Sequence, residues 1–287
     1  MAQNSLLASQ SLLPDAASLI ERPEGAHPAL HAPVRYTIAP LINDPHQYIA
    51  MLASFRAGGF TTDDCEYLFI DNSSDNQTCA YRGLDAMLAN ARGSIVLLCH
   101  QDVRLLSDVR KTLDARLAAL TAHDADWALA GNAGAMAPGS LALRITDPHG
   151  ANQHAGQLPA RVMSLDENFI IVRRTARIGF SRDLSGFHFY GADICLNAST
   201  AGYSAYVIDF HLAHLSPGSK CASFYASQEA FQAKWSAALA PRWLQTTCAL
   251  MRLSGDKLGQ MVGRMAARPL ASLHRRQTKL AGGQRGT

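Results

Sequence analysis

A run of apolar residues that ends abruptly in polar side chains constrains this chain more than any other feature. Residues 95–99 read Ile-Val-Leu-Leu-Cys, and His100, Gln101 and Asp102 follow directly. An unbroken run of aliphatic and β-branched residues is typical of a strand buried on both faces of a sheet. In open α/β sheets, ligands bind beyond the carboxyl ends of the strands, which makes Asp102 the first candidate site residue. The alternative, that Asp102 only caps the following helix, is favoured when this residue is considered alone.

Two further apolar segments end in polar clusters in the same way. Residues 66–70 lead into the cluster 71–76, and residues 35–39 lead into the turn 40–45. Between residues 66–70 and the first run, residues 78–91 carry apolar side chains at helical spacing, so strand, helix and strand alternate as in a parallel sheet. If the three strands are parallel neighbours, their polar ends gather at one edge. The sequence therefore predicts a site at that edge.

The composition fits a globular protein with a large core and excludes several classes of protein. Of the 287 residues, 48% are hydrophobic and 17% are charged, and a net charge of +3 is too small to predict nucleic-acid binding. No run of about 18 apolar residues occurs, so no membrane-spanning segment is expected. A Gly-x-Gly-x-x-Gly fingerprint and a Gly-x-x-x-x-Gly-Lys loop are both absent, which argues against nicotinamide-dependent and ATP-hydrolysing enzymes.

The cysteines do not follow a disulfide or zinc pattern. The six cysteines lie far apart in the sequence and include no Cys-x-x-Cys pair. Reduced, buried thiols fit this distribution better than a disulfide framework does. A cytoplasmic location is therefore expected, in line with the absence of basic residues from the start of the sequence, where a secretory signal would carry them.

Two later segments leave alternatives open. Residues 127–134 are interpreted as a strand with two glycines, which predict either a close approach of another group to the backbone or a bulge. Residues 203–215 are interpreted as another strand, in which strict alternation makes His214 a core residue and His211 the exposed one. The turn signal at 216–218 ends this strand, so alternation lapses at His214.

Four motifs, taken in order, resemble a known enzyme family. They are Ile-Asp-Asn-Ser-Ser-Asp-Asn at 70–76, Cys-His-Gln-Asp-Val at 99–103, His-Phe-Tyr-Gly-Ala-Asp-Ile-Cys-Leu at 188–196 and His-Leu-Ser-Pro-Gly at 214–218. Together they resemble the inverting family 2-type glycosyltransferases with the GT-A fold, and most closely a bacterial branch with His-Gln-Asp-Val in place of Asp-x-Asp. The resemblance covers the chain from Arg35 to Trp235. It implies an α/β protein, a GT-A-like three-layer α/β/α sandwich with a mostly parallel central sheet.

The resemblance also implies a metal-dependent inverting glycosyltransferase of bacterial surface glycan or glycoconjugate synthesis. Such an enzyme moves a sugar from a nucleotide-diphosphate sugar to an acceptor hydroxyl of a glycan, a lipid-linked oligosaccharide or a protein. Asp102 and His214 would hold Mn²⁺ or Mg²⁺, with His211 as the runner-up to His214, and the cation would neutralise the diphosphate leaving group. Asp193, in the first turn of a helix that includes residues 194–200, would be the general base toward the acceptor.

The remaining expected contacts to the donor follow from the same resemblance. Asp71 and the turn at Pro40 would hold the base and ribose, and Gln101 would also contact the donor. Asp166 would accept a hydrogen bond from a sugar hydroxyl. Structural alternatives stay open for two of these acids, because Asp166 suits a turn before a strand and Asp193 suits the positive end of a helix dipole.

Two departures from the family pattern keep other hypotheses open. His100 stands where relatives carry the first Asp of the metal motif, and Tyr81 stands where they carry Asn. Less negative charge around the metal predicts weaker affinity for the free cation, or a cation that arrives with the nucleotide. The alternative function is a non-catalytic GT-A-like module that binds a nucleotide or a glycan. An unrelated hydrolase or nucleotidyltransferase is a third hypothesis, although the Gly-x-Ser-x-Gly elbow of α/β hydrolases is absent.

The chain is expected to comprise three parts. Residues 1–33 form an N-terminal arm, residues 34–240 the GT-A-like catalytic domain and residues 241–287 a basic tail. In the tail, residues 251–273 interleave apolar and basic side chains, as in an amphipathic helix that rests on anionic lipid at the inner membrane. A solvated end is the alternative, and the pattern favours it.

Overall fold

The computed structural model of the protein describes residues 16–23, 33–247 and 249–266. The chain divides into two compact units, with the boundary between Gln228 and Glu229. Most of the arm predicted over residues 1–33 lies outside the described residues, and its role as a separate part stays a prediction, as does the domain boundary at residue 240. Within that arm, Glu21 pairs with Phe69 in an isolated antiparallel bridge.

The first unit is an α/β structure whose elements alternate along the chain. Its strands are β1 (Tyr36–Ile42), β2 (Cys65–Tyr67), β3 (Ile70–Asp71), β4 (Ile95–His100), β5 (Val103–Leu105), β6 (Trp127–Gly131), β7 (Ala133–Ala137), β8 (Ser140–Asp147), β9 (Gly150–Ala155), β10 (Ala160–Arg161), β11 (Ser164–Leu165), β12 (Phe169–Arg173), β13 (Ser204–Val207) and β14 (Leu212–His214). Its helices are α1 (Pro45–Ala57), α2 (Ala80–Asn90), α3 (Arg110–His123) and α4 (Tyr190–Thr200), and α5 (Ala222–Leu239) crosses the boundary between the units.

The central sheet contains eight strands in the order β10-β13-β6-β12-β4-β1-β2, and β3 also pairs with β1. Six of the eight strands run in one direction, whereas β12 runs antiparallel between β4 and β6, and β10 runs antiparallel at the edge. The predicted α/β class with a mostly parallel central sheet is therefore confirmed. Because β12 is antiparallel, it begins at the edge where β4 ends.

Helices cover both faces of this sheet. Apolar residues of α1 and α3 share one buried cluster with Ile38 of β1 and Leu97 of β4. On the opposite face, Gly83 of α2 lies against Leu41 and Ile70, and the buried residues of α4 lie outside the cluster formed by α1 and α3. Burying one large aliphatic side chain stabilises the fold by about 1.5–3 kcal/mol. The three-layer α/β/α arrangement follows from this burial on both sides.

The strand predicted at residues 95–99 is the centre of the sheet. All five of its apolar residues are buried in β4, between β1 and β12. The parallel neighbours predicted for it are also present, because β1 pairs in parallel with β2, β3 and β4. The carboxyl ends of these strands thus meet at one edge, as the sequence predicted.

The position of Pro40 differs from the prediction. Pro40 does not begin a turn but lies inside β1, opposite Cys99, and the strand continues to Ile42. Proline has no N–H to donate to a neighbouring strand. Phe69, opposite Pro40 in the register with β2 and β3, instead exchanges backbone hydrogen bonds with Glu21 at 2.8 and 3.0 Å. The backbone groups of Phe69 therefore have hydrogen-bond partners in Glu21 and do not need an N–H from Pro40, so the proline is tolerated in the interior of the sheet.

The single strand predicted over residues 203–215 is also wrong. The segment forms β13 in the central sheet and β14 in a second sheet with the order β11-β7-β8-β14-β5, and β9 pairs with β8. Residues 208–211 connect the two strands, so the alternation of inward and outward side chains does not carry from one to the other. Strict alternation therefore does not describe His211, which is buried, or His214, where the turn signal had already indicated that alternation lapses.

The two glycines of residues 127–134 allow close backbone approaches. A Cβ atom on Gly131 would lie 2.9 Å from the carbonyl oxygen of Phe169, and one on Gly134 would collide with the carbonyl oxygen of Ser164. Of the two alternatives left open by the sequence, close approach is the one that both glycines satisfy. They let β12 and β11 pack directly on the backbone of β6 and β7.

The second unit contains a hairpin and a helix. β15 (Arg242–Gln245) and β16 (Leu250–Leu253) pair antiparallel, and residues 257–266 are helical. The helix predicted over 251–273 is therefore wrong at its start, because residues 251–253 belong to a strand, and residues 267–273 lie outside the described residues. Among the helices that the structure describes, none combines the length and apolar character needed to cross a membrane.

Candidate functional site

A cavity of about 410 Å³ opens at the edge of the sheet where β1, β3 and β4 end. Its volume lies in the range of pockets that hold small-molecule ligands. The beginning of α4 and the segment before β12 also contribute to its walls. The polar side chains that line it are Asn43, Asn72, Asn76, His100, Gln101, Asp102, Glu167, Tyr190 and Ser216.

Three side chains at this edge form a compact cluster of metal-binding groups. His100 is the last residue of β4, Asp102 lies in the turn before β5, and His214 ends β14, which pairs antiparallel with β5. The Nδ1 atom of His100 lies 3.1 Å from the Nε2 atom of His214, and that Nε2 atom lies 3.5 Å from a carboxylate oxygen of Asp102. One ligand atom from each residue lies within 4.8 Å of the others. The pairing of β5 with β14 brings His214 to the cluster.

The chemistry of this donor set fits a divalent transition metal. Burial and the nearby charge of His214 lower the pKa of His100, which keeps its imidazole neutral. Burial raises the pKa of Asp102, but the hydrogen bond and charge of His214 outweigh it and leave the pKa below its ordinary value. A metal needs neutral imidazole and ionised carboxylate as ligands. Burial lowers the pKa of His214, but the hydrogen bond and charge of Asp102 outweigh it and raise that pKa, so a bound cation would take the place of the proton on His214. Two imidazoles and one carboxylate suit Mn²⁺ and its neighbours better than Mg²⁺, which prefers oxygen.

Tyr190 orients the His100 ring from the other side. The Tyr190 hydroxyl lies 2.8 Å from Nε2 of His100 and 3.2 Å from the backbone carbonyl of Glu167, to which it donates its hydrogen. The hydroxyl oxygen is then the acceptor for an Nε2–H of His100, which leaves the Nδ1 lone pair directed toward His214. Partners of this kind fix the ring and the tautomer of a metal-binding histidine.

Gln101 and the asparagines shape the other end of the cavity. The Gln101 Oε1 atom accepts hydrogen bonds from the backbone N–H groups of Asn43 at 2.7 Å and Asp44 at 2.9 Å, so it ties the end of β4 to the end of β1. The Asn72 amide donates to the Thr78 carbonyl at 2.9 Å and accepts from the Thr78 N–H at 3.3 Å. These contacts hold the loop after β3 at the cavity wall. The structure thus places Gln101 at the cavity, together with Asn43 and Asn72, which the sequence analysis did not select.

Asp71 and Pro40 are not among the residues that line the cavity. The Asp71 carboxylate accepts the N–H of Ser73 at 2.7 Å and so stabilises the turn after β3, and Pro40 is buried inside the sheet. Their neighbours reach the cavity instead. Asn72 lines the cavity next to Asp71, and Leu41 lines it next to Pro40, which the sequence had placed in a turn.

The acidic pair before β12 is divided between two environments. Asp166 is exposed and accepts hydrogen bonds from the backbone N–H of Asn168 at 2.9 Å and from its side-chain amide at 2.6 Å, a turn arrangement outside the cavity lining. Glu167 lines the cavity, and its Oε1 atom accepts the N–H of Gly191 at 3.3 Å. Burial raises the pKa of Glu167 to about 8, although the Gly191 N–H opposes the change. The sequence analysis selected the first acid of this pair, whereas the second one faces the cavity.

Asp193 lies in the first turn of α4, as predicted, but away from the cavity. Its side chain is 0% exposed and absent from the lining residues. One carboxylate oxygen accepts the N–H of Ser181 at 2.8 Å, and the other accepts the Ser181 hydroxyl at 2.7 Å. The Asn197 amide donates a third hydrogen bond at 3.2 Å. These bonds anchor the 181 loop to α4.

His211, the runner-up metal ligand, lies apart from the cluster. It is 7% exposed, and its Nε2 atom lies 2.9 Å from the Thr146 hydroxyl of β8. Burial and the charge of Arg144 lower its pKa. Of the two histidines, only His214 belongs to the group of side chains able to hold a metal among the residues that the structure describes.

Parts of the chain are similar to solved structures at low sequence identity. A mannosyltransferase from Pyrobaculum calidifontis, in complex with GDP-Man and Mn²⁺, is 15% identical with a TM-score of 0.46, and the similarity covers 74% of this chain and 64% of that one. TarS residues 1–349 from S. aureus, in complex with UDP-GlcNAc, is 13% identical with a TM-score of 0.44, covering 65% and 60%. A197 from STIV is 13% identical with a TM-score of 0.39, covering 63% and 85%. This chain thus spans less than two thirds of the first two.

One protein is similar to this chain at much higher identity. No family model matches the sequence. A protein of Fuscovulum blasticum named ORF 6 of the ATP synthase subunits region is 39% identical over 185 residues, covering 62% of this chain and 74% of that protein. The chain belongs to the same protein family as this ORF 6.

Proposed function

We propose that this protein is a metal-dependent inverting glycosyltransferase that moves a sugar from a nucleotide-diphosphate sugar to an acceptor hydroxyl. The observation that carries the proposal is the cluster of His100, Asp102 and His214 at a cavity of about 410 Å³ where parallel strands end. The four motifs that resemble family 2-type glycosyltransferases support it independently. By the same resemblance, we propose a role in bacterial surface glycan or glycoconjugate synthesis.

The donor is proposed to bind with its diphosphate at the cluster and its nucleoside toward the asparagines. A divalent cation held by His100, Asp102 and His214 would neutralise the charge that develops on the diphosphate leaving group. Mn²⁺ is the better fit to two imidazoles and a carboxylate, with Mg²⁺ as the alternative. The amide oxygens of Asn43 and Asn72 already accept hydrogen bonds from Gln101 and Thr78. The N–H groups that their amides have left are donors suited to a base or a ribose.

Two carboxylates are candidates for the general base that accepts the proton of the acceptor hydroxyl. The family resemblance assigns this role to Asp193, whose two oxygens already accept hydrogen bonds within the fold. Glu167 is better placed by geometry, because it lines the cavity that also contains the metal cluster. A general base must come within hydrogen-bond reach of the proton that it takes. We therefore propose Glu167 as the base and Asp193 as the residue that holds the start of α4 in position.

The direct test is to incubate the protein with a panel of nucleotide sugars and Mn²⁺ and to measure the nucleoside diphosphate that is released. Release that requires the cation and is lost in Asp102→Ala and His214→Ala supports the proposal. His154→Ala is the matched control, because His154 is an exposed histidine outside the cluster, and it should retain parental activity. Release of nucleoside monophosphate or pyrophosphate would indicate a hydrolase or nucleotidyltransferase instead.

The comparison of Glu167→Gln with Asp193→Asn assigns the base. Loss of turnover in Glu167→Gln with unchanged binding of the nucleotide sugar supports Glu167. If Asp193→Asn is folded and inactive while Glu167→Gln retains turnover, the role belongs to Asp193 as the resemblance implies. Circular dichroism and thermal melting of both variants separate loss of chemistry from loss of fold.

A second candidate function is a non-catalytic module that binds a nucleotide or a glycan. The observation that favours it is the complete engagement of Asp193 within the fold. This candidate predicts metal-dependent nucleotide binding without diphosphate release from any donor in the panel, and Glu167→Gln would then leave binding unchanged.

A further inference from the structure

The helix at residues 257–266 directs its apolar side chains toward solvent. Leu258, Met261, Val262 and Met265 recur at the spacing of one helix face, and they are 67%, 47%, 47% and 72% exposed. In a water-soluble helix this face is normally the buried one. We call these four residues the apolar stripe.

The opposite side of the helix rests on the hairpin of β15 and β16. A Cβ atom on Gly263 would lie 2.5 Å from Cβ of Arg252, so the glycine allows the helix to lie directly on β16. Gly263 is buried, in contrast to the stripe residues around it. The helix is therefore oriented by its small residue against the hairpin, and the apolar stripe faces outward as a consequence.

The hairpin carries exposed apolar groups on its other face, away from the helix. Leu244 lies opposite Met251, and Arg242 lies opposite Leu253, in the antiparallel register of β15 and β16. Leu244, Met251 and Leu253 are 43%, 39% and 45% exposed. Side chains alternate between the two faces of a strand, so these three residues point away from Arg252 and the helix and do not extend the apolar stripe. Exposed apolar side chains grouped among polar residues mark binding surfaces.

The charges around this surface are basic. Lys257 and Arg264 lie together on one flank of the apolar stripe, and Asp256 is the single acid between residues 242 and 287. The sequence from 267 to 287 adds five more Lys or Arg residues and no acid. A partner that covers the stripe must accept apolar side chains and positive charge at the same time.

We propose that this surface, formed by the apolar stripe with Lys257 and Arg264, docks the protein on an anionic lipid membrane. An amphipathic helix lies in the membrane interface with its apolar face toward the acyl chains and its basic residues at the headgroups. A second copy of the chain would satisfy the apolar side chains but would bring two basic surfaces together. Charge complementarity therefore favours the lipid.

Flotation of the full chain with phospholipid vesicles tests the proposal. We expect the protein to float with vesicles of equal parts phosphatidylcholine and phosphatidylglycerol, not with phosphatidylcholine alone, and to be released by high salt. Leu258→Gln with Met265→Gln should lower the bound fraction at least about fivefold, because it removes apolar area from the interface. Glutamine keeps the helix propensity of these positions nearly unchanged.

The matched control is Ile49→Gln with Leu141→Gln, two residues of the first unit that are 61% and 53% exposed. This variant should float like the parent protein. Absence of flotation on the anionic vesicles, or equal flotation of the stripe variant and the parent, overturns the proposal. A parent dimer in light scattering that the stripe variant converts to a monomer, without flotation of either, would assign the surface to a second copy. Met265→Gln alone replaces the double variant if its melting temperature falls.

Discussion

The Nδ1 atom of His100 lies 3.1 Å from the Nε2 atom of His214, although the two residues are 114 positions apart in the sequence. The first comes from the central sheet and the second from the neighbouring sheet. Two imidazole nitrogens at this separation, with the Asp102 carboxylate beside them, need a proton or a cation between them. A metal ion satisfies all three groups, whereas one proton satisfies two.

Replacement of Asp102 by alanine should abolish metal-dependent nucleotide binding. The variant removes the only anionic member of the cluster, so the cation loses the ligand that neutralises its charge. Calorimetry with a nucleoside diphosphate, with and without Mn²⁺, measures the effect. Equal nucleotide binding by the parent protein with and without Mn²⁺ would contradict the metal assignment.

Replacement of Tyr190 by phenylalanine should weaken Mn²⁺ binding by about 10–100-fold, the usual effect of losing a partner that orients a metal-binding histidine. The variant removes the hydroxyl that lies 2.8 Å from Nε2 of His100 and leaves the ring in place. Electron paramagnetic resonance of free Mn²⁺ gives the dissociation constants. Tyr203→Phe, a change outside the cavity lining, serves as the control and should bind Mn²⁺ like the parent protein.

Replacement of Glu167 by glutamine should flatten the fall in stability between about pH 5 and pH 8. Burial raises the pKa of Glu167 to about 8 in the folded state, whereas a glutamate in the unfolded chain titrates near about 4.3. The folded state therefore binds the extra proton across this window, and its stability falls as the pH rises. Glutamine stays neutral and removes this contribution. Parallel plots of melting temperature against pH for the parent protein and the variant would contradict the argument.

Replacement of Asp193 by asparagine should destabilise the fold by about 1–3 kcal/mol, because the new amide N–H₂ faces hydrogen-bond donors of Ser181 and Asn197. Urea unfolding measures the change. Asp166→Asn is the control, since this exposed side chain bonds only within its own turn in the described contacts. A stable Asp193→Asn variant would show that the carboxylate is not needed to hold the 181 loop.

Much of the central sheet was predictable because its signals are local. The apolar run before His100 is typical of a strand buried between two others, and residues 80–90 carry apolar side chains at helical spacing. The edge of the sheet that carries the cavity followed from the parallel order of β1, β3 and β4. Asp102 was found by this reasoning, whereas Gln101 and His214 came from the family resemblance. The structure places all three at that edge.

The features that the sequence analysis missed depend on how strands run and pair in the folded protein, which no local sequence pattern shows. Parallel strands predict site residues after their ends, and only the family resemblance pointed to a residue ahead of β12, Asp166. Because β12 runs antiparallel, the residues before it reach the same edge. Glu167 is one of them. The break of residues 203–215 into two strands likewise depends on the presence of a second sheet, and the interior position of Pro40 depends on the pairing of Phe69 with Glu21.

His100 ends a strand of the central sheet and His214 ends a strand of the second sheet, so a cation that they share with Asp102 would connect the two sheets. A bound ion would link the central sheet to the second sheet and would oppose movement of one sheet relative to the other. Each tenfold excess of cation over its dissociation constant would then add about 1.4 kcal/mol to the free energy of unfolding. Rigidity and occupancy would rise together.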